Sequence, residues 1–179
     1  MLVGFAYGSN LCRERLRRRV PSARFLGPAR LDGYQLRFHK RGLDGSGKAD
    51  ALHTGRDGDV VWGALFEMEE RHKGRLDRYE DLGRSYREAR VGVPTPDGEV
   101  VEAFTYLALP SAVEPGLKPF GWYRAFVVAG ALERGLPEEW VGRLEAVETR
   151  EDPDRARSRR NRRILEGGNA PPVSPEPGR

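Results

Sequence analysis

Tyr7-Gly8-Ser9-Asn10-Leu11 decides how this chain is read. It closes the apolar run Leu2-Val3-Gly4-Phe5-Ala6, which predicts a buried first strand, and opens Cys12-Arg13-Glu14-Arg15-Leu16, which predicts a helix. The stretch is therefore a strand-to-helix turn. Gly8 permits backbone dihedrals and close approaches that a side chain forbids, and Ser9 and Asn10 are types that favour helix N-caps. Free N–H groups at a helix start attract a carboxylate or an oxyanion. Taken alone, an ordinary capped turn accounts for these residues as well as a binding site does.

Working outward, the first helix is predicted from Asn10 to about Val20, Arg-rich outside with Leu11 and Leu16 inside, and stopped by Pro21. Phe25 to Leu31 and Tyr34 to His39 read as strands joined by Asp32-Gly33, a hairpin signal that implies antiparallel neighbours. A Gly-rich loop from Gly42 to Ala49 precedes the apolar strand Val60 to Met68. Glu69 to Asp81 is charged and helix-prone, with Leu76 and Tyr79 inward and Gly83 placed to end it. Tyr86 to Val93 and Val100 to Leu107 flank the turn residues Pro96-Asp97-Gly98. Phe120 to Arg134 predicts a helix packed on the sheet, closed by Gly135, and Pro137 starts another that buries Trp140, Val141, Leu144 and Val147. One domain is expected over residues 1–166, followed by a disordered Pro- and Gly-rich tail, 167–179.

Composition narrows the function classes. The 179 residues are 38% hydrophobic and 32% charged, and no apolar run approaches the roughly 20 residues that span a bilayer. Arg13 to Arg19 stands where a secretory signal would have its cleavage region, so a cytoplasmic location is expected. The single cysteine, Cys12, makes no internal disulfide and reads as a small buried residue. The net charge of +4 raises nucleic acid as a partner, and the densest basic run is Arg155 to Arg163. No aromatic residue interleaves with that run, so it reads as a solvated helix face and nucleic acid ranks last among partners. A homodimer, with Trp122 or Trp140 on its face, is a further expectation, and core packing explains both tryptophans equally well.

Several chemistries compete for the rest. Gly42-(x)4-Gly47-Lys48 matches most of a phosphate-binding loop, but Ala49 occupies the place of the metal-holding hydroxyl and no helix follows. His39, His53 and His72 are scattered and unaccompanied by paired cysteines, so no metal site is expected. Glu80 sits at the predicted C-terminal end of its helix, where the partial negative charge of free carbonyls favours a group that takes up a proton. A solvated helix-end glutamate is the competing reading.

The ordered set Tyr7-Gly8-Ser9-Asn10-Leu11, Val61-Trp62-Gly63-Ala64-Leu65-Phe66, Leu76-Asp77 with Glu80, and Tyr123 ahead of Gly130-Ala131 and Gly135-Leu136-Pro137 resembles the AIG2-like gamma-glutamylcyclotransferase family. The resemblance runs from Gly4 to about Leu144. It implies an α+β fold, a small mixed β-barrel surrounded by helices with the active site at one barrel end. It implies that Gly4, Phe5, Ala6, Tyr7, Gly8, Ser9 and Asn10 bind substrate, that Glu80 is the proton acceptor, and that Tyr123 lines the pocket. Tyr86 and Tyr106 are similar to pocket tyrosines of the family. The implied reaction closes a γ-glutamyl amide onto its own α-amine, giving 5-oxoproline and a free amine, without metal, nucleotide or other cofactor. A non-catalytic small-molecule binder on the same scaffold is the alternative.

Overall fold

In the computed structural model the described residues are 1–95 and 98–167, so the corner at Pro96-Asp97 and the expected tail beyond Gly167 lie outside them. The main sheet is arranged around β1 (Leu2–Ala6). It pairs antiparallel with β5 (Val60–Met68) on one side and parallel with β7 (Val100–Ala108) on the other. β2 (Arg24–Asp32) adds outside β5, and β6 (Tyr86–Pro94) adds outside β7, giving the order β2-β5-β1-β7-β6. Gly4 lies in register with Phe66 and Phe104, whose rings meet edge to face at 5.8 Å. A Cβ on Gly4 would stand 2.5 Å from the Phe66 ring and 2.8 Å from that of Phe104, so the close aromatic packing requires glycine there.

β3 (Tyr34–Arg41) and β4 (Gly47–His53) form a separate two-stranded ladder. This corrects the expected hairpin at Asp32-Gly33. Gly33, at φ +79°, donates its N–H to the Asp59 carbonyl, and its own carbonyl accepts from Thr54 and Gly55. The turn passes the chain from one ladder to the other, because a local turn signal reports that a chain bends and not which strands then pair. The Gly42–Ser46 loop instead closes the β3–β4 hairpin. The two outer strands, β2 and β6, approach one another, but no ladder joins them among the described residues. The α+β class holds, and the barrel is left unclosed.

The first helix is shorter than expected: a 3-10 turn covers Ser9–Leu11, and α1 covers Arg13–Arg19. α2 (Lys73–Tyr79) ends one residue before Glu80, and the left-handed residue that stops it is Asp81 (φ 52°), not Gly83. Asp81 donates to the Arg78 carbonyl and Leu82 to that of Asp77, a Schellman pair, while the Asp81 carboxylate accepts from Ser85 Oγ at 2.5 Å. That local bond holds Asp81 in a conformation ordinarily left to glycine. α3 (Gly121–Glu133) closes with the expected Gly135 at φ +62°. α4 (Glu138–Glu145) buries Trp140, Val141 and Leu144, while Val147 falls beyond its end and is only partly buried.

α5 (Arg155–Leu165) exposes Arg155, Arg159, Arg160, Arg162 and Arg163, as a solvated face should. It also buries Asn161 and Ile164 against the body. No helix among the described residues is long and apolar enough to cross a membrane. The core runs through Leu11, Leu16, Met68, Phe104 and Phe126, all nearly inaccessible, and each such side chain contributes about 1.5–3 kcal/mol of apolar burial.

Candidate active site

The chain leaves β1 at Ala6 and turns through Gly8 into the 3-10 turn, where Leu11 is pinned beneath α3. A Cβ on Gly130 of α3 would lie 2.4 Å from the Leu11 carbonyl carbon and the Cys12 nitrogen, so glycine lets helix and turn touch backbone to backbone. Ser9 and Asn10 do not cap: the turn has no side-chain cap bond. The backbone N–H groups of Gly8, Ser9 and Asn10 donate to no protein group among the described residues. The Asn10 amide instead donates to Glu80 Oε1 at 3.0 Å across 70 positions of sequence. Arg19 donates to the same oxygen at 2.7 Å and to Asn10 Oδ1 at 2.9 Å. Glu80 Oε2 has no protein partner among the described residues, so one carboxylate oxygen is anchored and the other is free.

The turn and Glu80 share a pocket lined by Phe5 to Asn10, Ala49, Glu80, Tyr86, Thr105, Tyr106 and Tyr123. The tyrosines build its walls. Tyr7 donates to the Tyr106 carbonyl, Tyr86 to the Ala49 carbonyl at 2.6 Å, and Tyr106 to Asp77 Oδ1 at 2.6 Å. With those protons committed, each of the three oxygens offers only acceptor capacity to a ligand. Tyr123 differs, since its oxygen accepts from the Ala49 N–H at 3.1 Å and no acceptor among the described residues takes its proton. Burial raises the pKa of Tyr7, Tyr86, Tyr106 and Tyr123 above that of a free phenol, so all four stay protonated near neutrality.

The AIG2-like family profile matches residues 60–144. Gamma-glutamylcyclotransferase of Homo sapiens is 34% identical over 151 residues, which cover 80% of this chain and 77% of that protein. The chain belongs to the gamma-glutamylcyclotransferase family. The Mus musculus gamma-glutamylcyclotransferase is 33% identical over 154 residues, covering 82% of this chain and 79% of that one. A solved gamma-glutamyl cyclotransferase superposes with a TM-score of 0.82 at 30% identity, covering 93% of this chain and 99% of the other.

The structure brings together every site residue that the family resemblance implies except Gly4, which lies one strand position short of the pocket under two aromatic rings. Sequence reasoning missed Ala49, Thr105 and Arg19. Thr105 sits in the buried stretch Ala103–Leu107 of β7 and donates to the Phe5 carbonyl at 2.9 Å, which ties β7 to the pocket end of β1. Arg19 was hidden in an arginine run read as solvated exterior. Its spacing from Arg15, one helical turn, was the available signal that two guanidiniums share a face.

Lys48, the lysine of the phosphate-loop look-alike, holds no open cradle. It donates to Asp44 Oδ2 and Ser46 Oγ, both at 2.8 Å, and lies over the rings of Trp122 and Tyr123 at 4.9 and 4.7 Å. Burial pulls its pKa down to about 8 from the ordinary 10.5, against the attraction of Asp44. Between those values the unfolded chain binds more protons, so this lysine adds stability as pH rises from 8 toward 10.5. The expected result is that thermal melts of the parent gain on those of Lys48→Met over that interval. A gap that stays constant with pH counts against the buried-cation assignment.

Proposed function

We propose that the pocket converts a γ-glutamyl amide into 5-oxoproline and a free amine. The α-amine forms a bond to the γ-carbonyl carbon, and the γ-amide C–N bond breaks. Glu80 takes the proton that the α-ammonium must lose and returns it to the departing nitrogen. The observation that carries this reading is the half-anchored carboxylate: Glu80 is fixed through Oε1 by Arg19 and Asn10, while Oε2 is left to a ligand. Among the described residues it is the only carboxylate on the lining, and the buried phenols beside it stay protonated.

The remaining groups suit a γ-glutamyl moiety. Three phenol oxygens with their protons committed form a wall of acceptors, which suits an ammonium group. The N–H groups of Gly8, Ser9 and Asn10 suit the α-carboxylate or the oxyanion that develops on the γ-carbonyl. The Ser9 hydroxyl accepts from Arg15, and the Tyr123 proton, which no acceptor among the described residues takes, is left to the ligand. Because nucleophile and target belong to one molecule, orientation alone removes several kcal/mol of the barrier, on the order of what effective molarities imply.

The test is release of 5-oxoproline from a panel of γ-glutamyl dipeptides, γ-glutamylamines and glutathione. Turnover of at least one member is expected; 5-oxoproline binding without turnover of any member supports the non-catalytic binder instead. Tyr123→Phe is expected to lower kcat/KM by about 10²-fold, the usual effect of one lost donor at a developing charge. Tyr86→Phe removes one of three acceptors and is expected to lower kcat/KM by less than Tyr123→Phe does, while costing about 1–3 kcal/mol of stability because it orphans the buried Ala49 carbonyl. Equal effects of the two variants on kcat/KM, at equal stability, would show that the distinction between their protons is wrong.

A further inference from the structure

α1 carries two arginines one turn apart, and both reach the Ser9-Asn10 turn. Arg19 is neutralised by Glu80 at 2.7 Å. Arg15 is neutralised by nothing among the described residues. Its Nε donates to Ser9 Oγ at 3.0 Å and its Nη1 to Asn161 Oδ1 of α5 at 3.2 Å. The guanidinium lies over the rings of Phe126 and Trp122, at 4.5 and 5.9 Å. Burial works against its charge and Arg19 adds to the opposition, but guanidinium is basic enough to remain cationic at neutral pH. The other charges felt at this corner are Glu80, already shared with Arg19, and Lys48, already paired with Asp44. Two guanidiniums facing one carboxylate leave an excess of one positive charge beside the turn. A half-buried cation without an anion is unfavourable for the folded chain, and the balance is restored when an anion binds next to it.

We propose that Arg15, acting through Ser9, supplies the counter-charge for the α-carboxylate of the bound γ-glutamyl group. The inference rests on the γ-glutamyl reading of the pocket. Arg15 is a positioning residue: it holds Ser9, and with it the free N–H groups, and makes that end of the pocket positive. Glu80 and the acceptor phenols make the other side suited to the ammonium. The zwitterion is thereby seated in one orientation, with its amine toward the base. Because Asn161 holds the far side of Arg15, and donates in turn to the Arg157 carbonyl at 3.0 Å, α5 becomes part of the site's support.

The experiment compares 5-oxoproline with 2-pyrrolidinone, the same ring without its carboxylate, as inhibitors of γ-glutamyl dipeptide turnover. The parent, Arg15→Gln and Arg15→Lys are measured side by side. Arg15→Gln keeps a donor for Ser9 and removes the charge. It is expected to lose about tenfold or more of the parent's preference for 5-oxoproline, equivalent to about 1.4 kcal/mol, and to raise KM with little change in kcat. Arg15→Lys keeps the charge and is expected to retain most of the preference.

If Arg15→Gln inhibits alike with both rings relative to the parent, so that the ratio is unchanged, the inference fails and Arg15 is merely structural. If Arg15→Gln does not fold, Arg15→Lys decides: loss of the preference in that variant overturns the charge assignment, and its retention supports it. A parent that turns over no γ-glutamyl amide and binds neither ring overturns the underlying reading and this inference together. Turnover by the parent with an unchanged ratio in the variants overturns the inference alone.

Discussion

Glu80→Gln is expected to lower kcat/KM for a γ-glutamyl dipeptide by about 10²–10⁴-fold, the range that a positioned acid–base group contributes. The amide keeps the shape of the carboxylate and can still accept from Asn10 and Arg19, so the fold should survive. What it lacks is a second oxygen able to take a proton. Loss of the charge also leaves Arg19 without its ion-pair partner, which destabilises the corner and makes a melting curve a necessary companion to the rate. Release of 5-oxoproline at the parental rate by well-folded Glu80→Gln would remove Glu80 from the chemistry. Arg19→Met addresses the same pair from the other side: it frees Oε1 and lets the carboxylate swing, which should lower kcat without abolishing it.

The second large effect is expected at a residue outside the pocket lining. Gly130→Val introduces two methyl groups beyond a Cβ that already falls 2.4 Å from the Leu11 and Cys12 backbone. Neither neighbour is the far end of a flexible side chain, so α3 must withdraw or the turn must move. Overpacking of this kind typically costs about 1–3 kcal/mol, and misplacing catalytic donors by 1 Å can cost about 10²-fold in rate. Both losses are expected together in Gly130→Val, read by a melting curve and by kcat/KM, with Gly142→Val as a control because nothing stands within 4 Å of its Cβ. Activity and stability close to the parent would mean that the turn is not clamped by α3.

Much of this was legible in the chain itself. The strand-to-helix turn at Tyr7–Leu11 follows from an apolar run meeting Gly8, and Gly135 closes α3 as its position predicts. The Gly-rich loop leads into a strand, as its sequence predicts, and not into the helix that a phosphate-binding loop precedes. Other readings failed because a neighbour distant in sequence intervened. Ser9 and Asn10 have the right chemistry for capping, yet their side chains answer to Arg15, Arg19 and Glu80. Gly83 is a better left-handed residue than Asp81, yet Ser85 stabilises Asp81 and the helix stops earlier, which sets Glu80 at its C-cap. The helix end is only part of the surroundings of Glu80, whose Oε1 also meets a cation and an amide from a distant segment.

By itself the sequence determined the α+β class, the family and most of the elements, though not β4, because turn chemistry and hydrophobic period act over a few residues and survive in the one-dimensional string. Only the tertiary structure decided what each polar group is free to do. Among the described residues three tyrosine protons are committed to the protein and one is not, one arginine is neutralised and its neighbour is not, and one oxygen of Glu80 is held while the other is open. Those distinctions arise from contacts between positions far apart in the chain, where each donor has a single proton and each ion pair a single partner, so they are settled only when the whole chain is packed.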